Sequence, residues 1–198
     1  MWYDYHGFPA AGYEVKYPAP GGPELAQRMV QALCAAGLPA DANPRRPYDH
    51  GVFVPLLAMF PEADIPVVPI SVLASDDPQA HMAMGAALRP FRAEGVFFFG
   101  SGATMHHFGN FRKKDAGKTF GDALTDALTR HPEWPQEQRR AALRQVGAMP
   151  GFREAQPDGA HEHLMPLLTL FGTSEGPAKE VANLPFYAAN VRHYLFEG

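Results

Sequence analysis

Cysteine is almost missing. Cys34 is the single thiol among 198 residues, so no internal disulfide and no cysteine-rich zinc fold can form. Basic residues make no block: 17 Lys and Arg against 21 Asp and Glu leave a formal charge of −4. That balance excludes the electrostatic footprint of a nucleic-acid or anionic-membrane partner. Prolines and charges interrupt every apolar run before the roughly 20 residues a bilayer span needs. The start, Met1-Trp2-Tyr3-Asp4-Tyr5-His6, has neither the basic region nor the apolar stretch of a signal peptide. No Gly-x-Ser-x-Gly elbow, phosphate loop or dinucleotide fingerprint occurs, and neither serine nor cysteine sits in a recognisable nucleophile setting. These absences fit a soluble, cytoplasmic protein of a reducing compartment. At this length a single domain, residues 1–198, buries roughly 70% of its unfolded surface.

What the chain has in excess is 20 prolines, 19 glycines and 9 histidines. Gly12 to Tyr17 reads as a short strand. Pro23, suited to a first helical position, opens a helix that Gly37 ends. Within it Cys34 reads as a small buried hydrophobe. Val52 to Phe60 reads as a buried helix with Asp49 as its N-cap. Ile65 to Leu73 reads as a buried strand, weakened by Pro69, and Asp77-Pro78 starts a helix running towards Gly95. Val96 to Phe99 is the strongest strand pattern, apolar on both faces. Helices follow at Phe120–Leu128, Pro135–Val146 and Leu164–Phe171, and Phe186 to Phe196 reads as a last strand. This alternation predicts an α/β fold with a mostly parallel central sheet flanked by helices.

Chemistry concentrates in histidine segments. Beyond the Val96–Phe99 run, Gly100-Ser101-Gly102-Ala103-Thr104-Met105-His106-His107 offers imidazoles as acid, base or metal ligand near neutral pH, or as ordinary loop residues. His50, in Tyr48-Asp49-His50-Gly51, stands at a helix start where partial positive charge favours a neutral ring; its plainer role is packing beside the cap. His163 lies near the start of the Leu164–Phe171 helix in His161-Glu162-His163-Leu164-Met165-Pro166-Leu167. His161 and His163 are about 200° apart round a regular helix, too far to share one metal. His81, His131 and His193 read as structural.

Taken in order, Asp49-His50-Gly51-Val52-Phe53-Val54-Pro55-Leu56, Gly100-Ser101-Gly102-Ala103-Thr104-Met105-His106 and Glu162-His163-Leu164-Met165-Pro166-Leu167 resemble one family. Tyr3-Asp4-Tyr5-His6-Gly7-Phe8-Pro9 and Phe60 to Val68 fit it too. The family is the class III extradiol ring-cleavage dioxygenases, in the branch of 4,5-DOPA dioxygenase and the catalytic subunit of protocatechuate 4,5-dioxygenase. The resemblance implies a non-haem Fe(II), or Zn2+ in some members, with a catechol-type substrate and O2. By position, it implies that His163 is a metal ligand, His106 an acid/base and His50 an imidazole near substrate and O2. Two further ligands of the family belong to an N-terminal region that this chain starts after, so the fold is expected to be N-terminally truncated relative to the family. His107 and Gln156 stand where family members carry Asn and His. Three readings follow: a dioxygenase, either N-terminally shortened or completed at its metal site by a second chain or second copy; an inactive relative serving as a binding or regulatory module; or a metal-free hydrolase using His106, which the lack of a nucleophile setting disfavours.

Overall fold

Proline and aspartate placement decides where the helices begin in the computed structural model, which describes residues 1–197. Helix α1, Pro23–Ala35, has proline at its first position, where no hydrogen bond is lost. It ends in a Schellman turn, with Gly37 N–H bonded to Cys34 C=O at 3.0 Å and Leu38 N–H to Leu33 C=O at 2.9 Å. Helix α2, His50–Met59, is capped by Asp49, whose carboxylate accepts Val52 N–H at 3.2 Å. Asp77 caps α3, Pro78–Leu88, in the same way through Gln79 N–H at 2.8 Å. These three helices start where the sequence predicts.

The chain divides into two compact units, Met1–Ser71 and Val72–Gly198. In the first, Tyr17, Phe53, Leu56 and Ala63 form a small core with Tyr3, Tyr5, Val15 and Tyr48 packed on it. Tyr17 is buried and donates its hydroxyl to Phe60 C=O at 3.0 Å. The strand expected over Gly12–Tyr17 is instead a 3-10 turn, Ala10–Tyr13, and irregular chain. Cys34 is exposed, not buried, because α1 buries only Met29 and Leu33.

The second unit holds α3, α4 (Lys118–Thr129), α5 (Gln136–Arg144), α6 (Phe152–Ala155) and α7 (Met165–Gly172), then strands β1 (Ala178–Phe186) and β2 (Ala189–Phe196). Its core runs through Met82, Met105, Phe120, Leu124, Leu164, Leu168 and Phe171. Helices α3 and α7 pack together through glycines: a Cβ on Gly85 would lie 1.9 Å from Thr169 C=O, and one on Gly172 2.1 Å from Met82 C=O.

The expected mostly parallel central sheet is not what forms. Among the described residues the sheet has two strands, β1 and β2, paired antiparallel, and parallel pairing is confined to the isolated bridges Trp2↔Asp49 and Gly21↔Val67. The runs that suggested parallel strands carry no ladder. Pro66 and Pro69 remove donors from Ile65–Leu73, and Phe97 to Gly102 make no backbone–backbone hydrogen bond among the described residues. Phe97 and Phe99 face outward while Phe98 is half-buried, the alternation of a strand without its partner. No helix is long and apolar enough to cross a membrane among the described residues.

Two buried arginines fix the second unit. Arg139 donates to the carbonyls of Ala127 and Leu128, acceptors that the end of α4 leaves open, and to that of His131 just beyond the helix. Arg192 on β2, with its side chain 6% exposed, pairs with Asp122 and with Glu180 at 2.8 Å and donates to Thr125 at 3.0 Å. Thr125 in turn donates to Glu180 at 2.5 Å, which leaves Tyr194 as donor to Thr125 at 2.8 Å. Burial pushes the Tyr194 phenol up to about 12. The Lys118 ammonium and then Arg192 hold Asp122 below its ordinary 3.8 against partial burial. Burial pushes Glu180 up, but the Thr125 hydroxyl and Arg192 outweigh it and hold it below 4.5.

Carboxyls held low stabilise the fold above their unfolded values and lose that contribution as pH falls through the lowered ones. Urea midpoints are therefore expected to be flat near neutrality and to fall below about pH 4.5, and Arg192→Ala should flatten that acid limb. Arg192→Ala should also cost about 3 kcal/mol at pH 7, the low end for breaking a buried pair because Asp122 remains partly in water. Gly85→Ala should destabilise by about 1–3 kcal/mol or more, by forcing α3 off α7; an unchanged urea midpoint would contradict that packing.

Candidate metal and acid–base site

Within the second unit, the loop from Gly100 to His107 is pinned at several points. Ala103 N–H donates to His163 C=O at 2.8 Å, and His106 and His107 N–H both donate to Ala155 C=O, at 2.7 and 3.0 Å. Thr104 accepts the backbone N–H of Arg192 at 2.9 Å, which ties the loop to the ion-pair network. Gln156, wholly buried, donates to Ala103 C=O at 3.2 Å. Gly102 is required here: a Cβ would lie 2.3 Å from His163 C=O. The loop therefore lies directly against the turn that precedes α7.

That contact brings His106 and His163 together. Their rings stack with centroids 3.4 Å apart and planes 16° from parallel, and Phe108 leans on His106 at 4.7 Å. Glu162 bonds His163 Nδ1 at 3.0 Å. His106, Glu162 and His163 each place one ligand atom within 4.8 Å of the others. Burial first, and then the neighbouring His163, push the His106 imidazole below its ordinary value, with Glu162 working against both. Burial raises Glu162, but its own backbone N–H and His163 outweigh it and hold the carboxyl below its usual range. An ionised Glu162 accepts only, so His163 Nδ1 is the donor and Nε2 keeps its lone pair.

An imidazole whose other nitrogen is held by a carboxylate is a ligand that suits a divalent transition metal such as Fe(II) or Zn2+. His106 Nδ1 is buried with no hydrogen-bond partner among the described residues. His163 Nε2 fits a metal ion as one ligand, with His106 stacked on its ring and Glu162 bonded to its Nδ1.

The other sequence candidates fall elsewhere. His161 turns to Asp76, 3.3 Å away, and packs edge-on against Phe152, so it diverges from His163, although both lie in the turn before α7 and not on the regular helix that their spacing presupposes. His107 is outside the cluster. His50 belongs to the first unit, where its Nδ1 meets Asp4 at 2.7 Å. His81 is wholly buried, with Nε2 accepting Leu73 N–H at 3.1 Å and Nδ1 against Asp77 C=O at 2.9 Å, a structural role. Glu162 is the residue that sequence reasoning left without a role; its one signal is a carboxylate directly before His163 in a His-Glu-His run.

Comparison with known proteins matches residues 1–194 to a family model described as the catalytic LigB subunit of aromatic ring-opening dioxygenase. The chain is 39% identical over 196 residues to the dioxygenase tasH of Hapsidospora irregularis, an alignment covering 89% of this chain and 58% of that protein. It is 35% identical to the 4,5-DOPA dioxygenase extradiol of Portulaca grandiflora, over 89% of this chain and 65% of that one. It is similar in structure to an uncharacterized protein, JW3007, of Escherichia coli K12, with a TM-score of 0.77, 27% identity, and coverage of 92% of this chain and 75% of that chain. The chain thus spans about three fifths of the length of the curated relatives it matches. A match that runs through all three histidine segments establishes that the chain belongs to the LigB family of aromatic ring-opening dioxygenases.

Proposed function

We propose that this chain is a metal-dependent extradiol dioxygenase-type protein that acts with O2 on a catechol-type aromatic diol. The observation that carries the reading is the stack of His106 on His163 beside Glu162, built from two segments far apart in sequence. The family model runs through both units, which supports reading residues 1–194 as one family domain. A single, exposed thiol is in keeping with the cytoplasm as its compartment.

The ring planes support a division of labour between the two histidines. An imidazole lone pair lies in the plane of its ring, so rings only 16° from parallel do not aim at one point. One ring is the ligand and the other is left for proton transfer. His163 would be one ligand of the metal, through Nε2, because Nδ1 is committed to Glu162, and a second chain or second copy would supply the others. Glu162 fixes the tautomer and orientation of that ring, the part an outer carboxylate plays at histidine metal sites. A bound non-haem metal supplies the electron path between diol and O2 that ring opening requires. His106 takes the proton of a catechol hydroxyl and returns it as the ring opens. Its low affinity for protons keeps it an unprotonated base at neutral pH. His50 is assigned to contact with substrate and O2 on the strength of the family motif.

Anaerobic loading with Fe(II), desalting and iron analysis, followed by O2 uptake with catechol, tests the reading. Retained iron and O2 consumed together with ring-opened product are expected; a loaded chain that consumes no O2 contradicts it. His163→Ala should lose the metal. His106→Ala should retain it and lose turnover by about 100- to 10,000-fold. Equal metal loss in both variants refutes the division of roles. Glu162→Gln should weaken metal binding by about 10- to 100-fold.

A further inference from the structure

A second histidine, in the first unit, has its protonation geometry set by a residue that the reading so far leaves idle. Asp4 Oδ1 accepts two hydrogen bonds from His50, from the backbone N–H at 3.1 Å and from ring Nδ1 at 2.7 Å. The backbone N–H is one of the donors that the start of α2 leaves unpaired, so a carboxylate is doubly favoured there. Partial burial raises Asp4, but the His50 backbone N–H and ring outweigh it and hold the carboxyl low. An ionised carboxylate has no proton to give, so the proton between the two groups belongs to Nδ1. The lone pair of the neutral ring then lies on Nε2, the reverse of the tautomer that predominates in free histidine.

Nε2 makes no hydrogen bond among the described residues, and the side chain is 47% exposed. Beside it stands an aromatic group drawn from the first 13 residues of the chain. Tyr5 meets the imidazole edge-on, with centroids 5.8 Å apart and planes at 90°. Phe8 and Tyr13 pack on Tyr5 at 5.1 and 5.3 Å. Tyr5 is itself held by its hydroxyl, which donates to Gly12 C=O. An acceptor nitrogen beside exposed aromatic faces has the chemistry to take a phenolic hydroxyl with its ring.

We propose that Asp4 is a positioning residue: it locks His50 in the Nδ1–H form and so presents Nε2 as the hydrogen-bond acceptor for a hydroxyl of the aromatic diol. The inference rests on the assignment of His50 to substrate contact and adds the group that orients it. Ring-nitrogen NMR of the full chain, above the pH at which the imidazole titrates, reads the tautomer directly. The wild type is expected to show His50 protonated at Nδ1. Asp4→Ala should move the proton to Nε2. Asp4→Asn, whose amide oxygen can still accept both bonds, should keep it on Nδ1. In Fe(II)-loaded protein Asp4→Ala should lower kcat/KM for catechol by about a hundredfold with iron content unchanged, and Asp4→Asn should recover part of the loss. A wild-type His50 protonated at Nε2, or an Asp4→Ala chain with its tautomer or kcat/KM unchanged, overturns the proposal. The ring signals decide whether Asp4 sets the tautomer even if wild-type protein consumes no O2, a result that counts against the dioxygenase reading and not against the Asp4–His50 pairing.

Discussion

The candidate site depends on one close backbone contact. Ala103 N–H reaches His163 C=O at 2.8 Å, and it can do so only because Gly102 has no side chain to hold the two segments apart. From that contact the rest follows in order. The loop lies on the turn before α7, His106 comes to rest on His163, and Glu162 is close enough to orient the ring it precedes. The loop is then held from behind by Ala155, Gln156 and the backbone of Arg192. A segment with no strand ladder of its own is thereby made rigid where the chemistry needs it, through bonds to its neighbours rather than within itself.

The same economy explains the charged interior. Arg192 bonds the site loop through its backbone and binds Asp122, Glu180 and Thr125 through its side chain. Every hydrogen-bonding position of the Thr125 hydroxyl is used, while Arg192 Nε is buried without a partner among the described residues. Arg139 serves α4 similarly, placing a guanidinium on the Ala127 and Leu128 carbonyls, which the end of the helix leaves open, and on His131 C=O, which also accepts Trp134 N–H. Much of the second unit's order thus comes from arginines facing chain ends and turns, and its sheet, among the described residues, is a single hairpin.

The helix starts were legible in the sequence because their signals are local. Pro23, Asp49 and Asp77-Pro78 act on the residues beside them and need no distant partner. The strands were not legible for the opposite reason. Val96 to Phe99 has strand composition, but a ladder needs a second strand, and composition does not supply one. Strand β1 escaped because Lys179, Glu180, Asn183 and Pro185 dilute its pattern, and because the turn into β2 puts a positive φ of 55° on Tyr187, where glycine or asparagine would have signalled a hairpin. Cys34 was misread because α1 buries a narrower face than its apolar spacing suggests. The histidine segments stood out in the sequence, but the pairing of His106 with His163 is a tertiary fact, and the part of Glu162 is visible only once the ring beside it is placed.

Ring-nitrogen NMR of the full chain titrated with Zn2+ asks most directly whether the stacked histidines divide their labour. The account predicts that Nε2 of His163 takes on the signature of a coordinated nitrogen while both nitrogens of His106 stay free of the metal. Coordination shifts on both rings, or on neither, would contradict it.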